Sequence, residues 1–237
     1  MKDHNIIEFV DLFLSSPFCR PIPAFLDEDT ANAARTFPGL DCWLAPPEMI
    51  AGPPDEHGYV PWRPVNSPID NELTCAIERF LQTTLPPAFK NYLQYKCLIG
   101  VDLYEGTLPD IDPRKPLLWL EWSLLESKRH FGGLYHLVPF TSGPANASVL
   151  CFDTRQPDPQ GDYPINIVPR SSGPVLDEAN RSELVGRRVF ASFASYLAFL
   201  RNWLLYKQVK SSVSFLDWLD MHGKPAPPRL YYEETPH

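Results

Sequence analysis

Apolar residues recur every three or four positions at the front of the chain, where Ile6, Ile7, Phe9, Val10, Phe13 and Leu14 form a stripe interrupted by Glu8 and Asp11. That spacing predicts an amphipathic helix. Beyond it, up to residue 67, the pattern dissolves into a proline- and acid-rich segment that includes LAPPEMIAGPPDEHGYVPWRPVNSP. Proline removes backbone donors and holds the chain extended or turned, so irregular structure wrapped over a core is expected here. Trp43, Met49, Tyr59 and Trp62 give this segment apolar anchors.

A periodic pattern resumes at Ser67-Pro68-Ile69-Asp70, which offers an N-cap, a proline at the first helical position and an acid in the first turn. Ile69, Leu73, Ile77, Phe80 and Leu81 then predict the buried face of a helix that stops near TTLPP. Pro86 and Pro87 open a second helix, with Phe89, Tyr92, Leu93 and Lys96 three or four residues apart. From about residue 98 to 170 the period shortens toward two, and LLWLEWSLL, GLYHLVPF, ASVLCF and YPINIVP read as strands of a largely antiparallel sheet. Two amphipathic helices follow. Phe193, Tyr196, Leu197, Leu200, Trp203 and Leu204 mark one, with Ser192 as its cap; Phe215, Trp218 and Leu219 mark the other, ended by Gly223. Helices, then strands, then helices, without β-α-β alternation, predict an α+β fold.

The organisation that follows is an N-terminal helix and proline-rich acidic extension over residues 1–59, packed on the core, an α+β domain over residues 60–223, and an extended tail over residues 224–237. A chain of 237 residues, 44% of them hydrophobic, suffices for one substantial core. Its 27 prolines predict short elements and many loops. Five widely spaced cysteines, an odd number and mostly beside apolar residues, read as buried thiols in a reducing cytoplasm. The N-terminal stripe lacks the uninterrupted apolar stretch of a signal peptide, and no run approaches the roughly 20 apolar residues that span a bilayer.

The net charge of −8 disfavours nucleic acid or an anionic membrane as partner, since both demand clustered Lys and Arg. Its distribution is uneven. Residues 1–112 hold 17 acidic against 7 basic side chains, whereas the remainder holds 12 against 14. The acidic front half could steer a basic partner, or simply keep the chain soluble.

Motifs for chemistry are sparse. There is no G-x-S-x-G, no C-x-x-C or H-E-x-x-H, and no phosphate-cradling G-x-x-x-x-G-K-[ST] or G-x-G-x-x-G, so no cofactor is expected. Asp110 and Asp112 form a D-x-D in LPDIDPRKP that could bind a divalent metal with a nucleotide sugar, or be two acids of a proline-rich turn. His136 on a strand reads as a packed or hydrogen-bonded residue, and His57 sits in a loop beside two acids. Asp153 ends the apolar run ASVLCF and is followed by Thr154, as expected of a strand entering an Asx-type turn rather than of a catalytic carboxylate.

The order of these segments resembles the SUKH superfamily. WRPVNSPIDNELTCAIERFLQTTLPPAFKNYLQYK is similar to the opening of that family through Trp62, Pro64, Glu78, Leu85, Pro86, Phe89, Lys90, Tyr92 and Leu93. LVPFTSGPANASVLCFDT resembles its central hairpin through Pro139, Phe140, Gly143, Phe152 and Asp153, with YPINIVP as the next strand and ASFASYLAFL as the closing helix. The resemblance covers residues 60–205; Leu98-Ile99-Gly100 and Ser142 depart from the family pattern. It implies an antiparallel sheet of about six strands packed by helices. It also implies membership of a group made up mainly of bacterial immunity proteins, which bind and neutralise a cognate toxin in the cytoplasm, and containing fungal regulators of cell-wall synthesis that act as interaction hubs; neither role requires a catalytic centre.

Such an inhibitor would set an acidic surface against the basic face of a toxin that acts on nucleic acid, with aromatics supplying affinity. Candidate contacts are Glu105, Asp110, Asp112, Asp158 and Asp162 as exposed loop acids, with Tyr59 and Trp62 as the aromatics. For each, a solvated turn or a core anchor is the alternative. A regulatory adaptor that docks through the proline-rich front and tail is the second functional expectation, and a metal-dependent transferase using Asp110 and Asp112 the third. Oligomeric state is left open.

Overall fold

The computed structural model describes residues 4–23, 44–101, 103, 107–130, 136–143, 148–170, 187–209, 217 and 221. Helix α1 (His4–Leu14) buries Ile6, Phe9, Val10 and Phe13, the predicted stripe, against helix α5 (Phe193–Val209). Glu8 reaches Arg201 across that contact at 3.2 Å. Strand β1 (Ile22–Pro23) pairs antiparallel with β2 (Tyr59–Val60), and a single 3-10 turn (Pro47–Met49) places Met49 fully inside. The described residues of the front of the chain therefore contribute to the same core as the helices and sheet that follow.

Helix α2 (Asn71–Leu81) begins three residues later than the proline rule suggests. Asp70 is the cap, its carboxylate accepting the Leu73 amide at 2.8 Å. Ser67 instead accepts the Ile69 amide and donates to the Leu93 carbonyl, tying the segment before α2 to helix α3 (Pro87–Tyr95). Thr74 and Ile77 are the buried residues of α2, and Phe80, at the margin of that stripe, is 63% exposed rather than buried as its spacing suggests. Pro86 caps α3 and Pro87 occupies its first turn, as expected; Ala88, Phe89, Tyr92 and Leu93 face inward.

LLWLEWSLL is not a strand. It lies in helix α4 (Leu118–His130), where Trp119, Ser123 and Glu126 are buried at helical spacing and Leu124 and Leu125 are exposed. Apolar residues on every side of this helix hide its period. Its 13 residues contain no Val, Ile or Thr, which favours helix over a longer than average strand.

The sheet is β3 (Leu137–Ser142), β4 (Ser148–Asp153), β5 (Ile165–Pro169) and β6 (Arg187–Phe190), antiparallel and in chain order. Among the described residues the strands thus form a four-stranded sheet and a separate pair, not one sheet of about six. β6 has no counterpart in the sequence reading; RRVF carries only two apolar residues. The second closing helix expected from Phe215, Trp218 and Leu219, and the tail over residues 224–237, lie outside the described residues.

One face of the sheet presents Val138, Phe140, Leu150, Phe152, Ile165 and Ile167 to the core formed with α1, α3 and α5. Phe89 sits at its centre, with the rings of Phe140, Phe152, Phe193 and Trp119 meeting it edge to face at 5.0–5.8 Å. A bulge between Pro139 and Thr141 lets Phe140 enter this cluster and stack on Phe152 at 4.3 Å. The other face packs Leu137, Val149, Cys151 and Val168 against Trp122 of α4. The architecture is a mixed α+β fold with helices on both faces of an antiparallel sheet. No helix among the described residues is long and apolar enough to cross a membrane.

Candidate functional site

Residues 49–63 leave the core and return to it as an arm held by backbone pairing. Arg63 donates to Met49, Ala51 to Pro61 and Asp55 to Tyr59, all at 2.8 Å. Gly52 is needed for this approach, because a Cβ there would stand 2.9 Å from the Pro61 ring. At the tip, Asp55 Oδ1 accepts the amides of His57 and Tyr59 at 2.9 Å, and Gly58 takes a positive φ of 79°. The Tyr59 amide, above all, holds the Asp55 carboxyl below its ordinary pKa; the His57 amide and ring add to this.

The arm is seated firmly. Val60 and Trp62 are buried, Tyr59–Val60 pairs with Ile22–Pro23, and the Trp62 indole Nε1–H donates to the Arg20 carbonyl at 3.0 Å. Its outer surface carries Pro53, Pro54, Asp55, Glu56, His57, Pro61 and Tyr59, the last 43% exposed. Glu56 meets His57 Nε2 at 3.5 Å in a fully solvated setting, so this pair adds little to stability. An exposed phenol beside a pair of acids, on a backbone with a fixed register, suits recognition of a cationic protein surface.

Of the candidate contacts drawn from the sequence, only Tyr59 belongs to this exposed surface, which His57 of the loop shares. Trp62 is the arm's core anchor. Asp112 is 1% exposed rather than on the surface: Arg114 donates to both its oxygens through Nε and Nη2, and also reaches the Leu44 carbonyl. Asp110, half-buried, accepts the Gly100 amide at 2.8 Å. Asp158 closes its own turn by accepting from Gln160 and Asp162. Asp162 is 8% exposed and accepts from Tyr163 and Phe193, so it too is not a surface acid; burial pushes its carboxyl up in pKa. Asp112 and Asp158 find guanidinium or backbone donors two to four residues on, while Asp110 and Asp162 accept amides from Gly100 and Phe193, 10 and 31 residues away. Glu105 lies outside the described residues.

A second polar constellation covers the far face of the sheet. Asp153 ends β4 and accepts from Arg155 through its backbone amide, Nε and Nη2, as well as from the Asn166 amide group. Burial alone would raise the Asp153 pKa, but the hydrogen bonds and charge of Arg155 outweigh it and hold the carboxyl low. The expected Asx-type turn is present. His136, one strand over, is pushed down in pKa by burial and then by Arg155. Glu126 of α4 binds Arg170 at 3.0 Å, and Arg170 lies over the Trp122 ring at 6.0 Å. Asn166, Glu126 and Arg170 were invisible as partners in the sequence, since 13 to 44 residues separate each pair. Among the described residues no group of three or more His, Cys, Asp or Glu side chains is placed to hold a metal ion.

No protein-family model matches the chain, and no curated protein matches it in sequence.

Proposed function

We propose that this protein is a non-catalytic immunity protein that binds and neutralises a cognate toxin by covering its basic, substrate-binding face. The observation that carries the reading is the arm of residues 49–63, which holds an exposed Tyr59 beside Asp55 and Glu56 in a register fixed by backbone hydrogen bonds. A rigid aromatic anchor flanked by acids needs little ordering on association, and charge complementarity speeds encounter. The residues that carry the SUKH resemblance also work together. Glu78 accepts the Leu85 amide at 2.8 Å and Lys90 Nζ at 3.0 Å, joining α2 to α3, while Phe140 and Phe152 stack in the core. The occupation of Asp112 by Arg114 weighs against a metal-dependent transferase that uses the D-x-D pair.

The test is co-expression with the basic product of an adjacent gene. A stable complex, together with restored growth when that product is toxic, is the expected result. A harmless, non-binding neighbour overturns the immunity reading and favours an adaptor, for which the exposed prolines of the arm would be the docking element. Salt separates the two, because association steered by acids slows as ionic strength rises and apolar docking does not.

A further inference from the structure

Asp162 combines three features that no other carboxylate described here shares. It is almost wholly buried, it has no cationic partner among the described residues, and it bridges two separate parts of the chain. Its amide donates to Asp158 Oδ1 on the turn of residues 158–162, and its own side chain accepts the Tyr163 amide at 2.9 Å and the Phe193 amide, at the start of α5, at 3.5 Å. Both amides use Oδ1. Oδ2 can therefore carry a proton without breaking either hydrogen bond, unlike Asp112 and Asp153, whose two oxygens are both held by guanidinium groups.

Apart from the two amides, no group facing this carboxyl among the described residues offsets a charge. Its own turn supplies Asp158, of the same sign; the following residue is Tyr163, whose hydroxyl is engaged with Thr84 at 2.7 Å; and the first turn of α5 supplies Ser192, Phe193 and Ser195, closed on each other by reciprocal Ser192–Ser195 bonds. A carboxylate buried without a counter-charge is costly, whereas a neutral carboxyl that keeps its hydrogen bonds is not. We propose that Asp162 is a proton-operated latch, closing the turn of residues 158–162 on the start of α5 when neutral and loosening that junction when ionised. Burial favours the proton and outweighs the Tyr163 and Phe193 amides, which favour the charge, and Asp158 adds to the same side as burial, so the latch is closed below the ordinary aspartate range and loses its hold as pH rises through the Asp162 value.

The test reads the full-length protein by NMR. The Asp162 side-chain carboxyl should titrate above the ordinary aspartate value of about 4, and Asp158→Asn should move that titration downward. Intrinsic-rate-corrected protection of the Phe193 and Tyr163 amides should fall by about tenfold for each unit by which Asp162 titrates high, the fall running from the ordinary aspartate value up to the Asp162 titration. Asp162→Asn, which keeps an acceptor oxygen, should abolish that pH dependence. An Asp162 carboxyl that titrates at or below the ordinary value overturns the latch, and that measurement needs no variant to fold. A fall in protection that persists unchanged in Asp162→Asn also overturns it.

Discussion

Asp153 and Arg155, two residues apart, close a forked ion pair at the end of β4, with Arg155 Nε and Nη2 on separate oxygens at 2.8 and 2.5 Å. The acid is buried and the guanidinium is 43% exposed, so the pair is anchored from inside. The same carboxylate takes the Arg155 amide and the Asn166 side chain, stitching β4 to β5 at the start of the loop between them.

Removing that carboxylate should therefore cost more than a surface pair would. Asp153→Ala removes a buried acceptor that serves both Arg155 and the Asn166 amide group and is expected to destabilise the protein by about 1–3 kcal/mol. Because the folded pKa is held low, this contribution is fully present above the unfolded value of about 4 and is lost as pH falls through the folded one. Urea unfolding of wild type and variant at neutral pH and in acid should show the gap closing in acid; a gap of constant size refutes the ion-pair account.

The described cysteines should separate by reactivity. Burial, with the nearby charges of Asp112 and Glu48, pushes the Cys97 thiol up to about 12, and burial drives Cys151 well above its ordinary value. Cys19 is half-buried and raised as well, whereas Cys75 lies exposed on α2. Since the thiolate is the reactive species, native-state alkylation mapped by peptide mass spectrometry should modify Cys75 well before Cys97 and Cys151. Equal rates would mean that the sheet and the segment after α3 open readily.

The N-terminal helix is structural before it is anything else. Phe9 and Phe13 are fully buried between α1 and α5, and each substitution to Ala should cost about 3–5 kcal/mol. Against a typical total stability of about 5–15 kcal/mol, deleting residues 1–59 should unfold the remainder instead of releasing an intact core. Circular dichroism and thermal melts of Phe9→Ala, Phe13→Ala and the truncated chain check this. A cooperative melt in the truncated chain would show that residues 60 onward hold a core of their own.

Much of the helical architecture is legible in the spacing of apolar residues. Ile6, Phe9, Val10 and Phe13, and later Phe89, Tyr92 and Leu93, each form a single stripe flanked by polar positions, so the period is plain. α4 defeats the same logic because its apolar residues serve two neighbours, Trp119 the main core and Trp122 the far face, leaving no polar side to reveal the turn. The start of α2 moves because two cap-forming residues compete: Asp70 takes the helix and Ser67 a long-range bond to Leu93. Asp153 is legible because its role is local, two residues on. The burial of Asp112 and Asp162 is not, since acidity and turn context alone do not say whether a turn faces water. The arm shows only in part: Tyr59 and the prolines stand out, but the pairing of Ala51 with Pro61 depends on the fold beneath.

The arm also supplies the sharpest test of partner binding, because its charge and its backbone can be changed separately. Asp55 organises the turn, so replacing it confounds electrostatics with folding; among the described residues, Glu56 meets only the exposed His57 side chain. Glu56→Lys should thus leave the melting temperature unchanged while slowing association with a basic partner, and the salt dependence of the on-rate should weaken. Tyr59→Ala should act mainly on dissociation, costing about 2 kcal/mol or roughly 30-fold in Kd if the ring is the buried anchor of the complex. Trp62→Phe serves as the contrast. Losing the indole N–H to the Arg20 carbonyl should lower thermal stability and loosen the arm's seat, with no change in surface charge. Surface plasmon resonance on the three variants distinguishes these outcomes, and a partner that binds Tyr59→Ala and Glu56→Lys as tightly and as fast as wild type must use a different face of the protein.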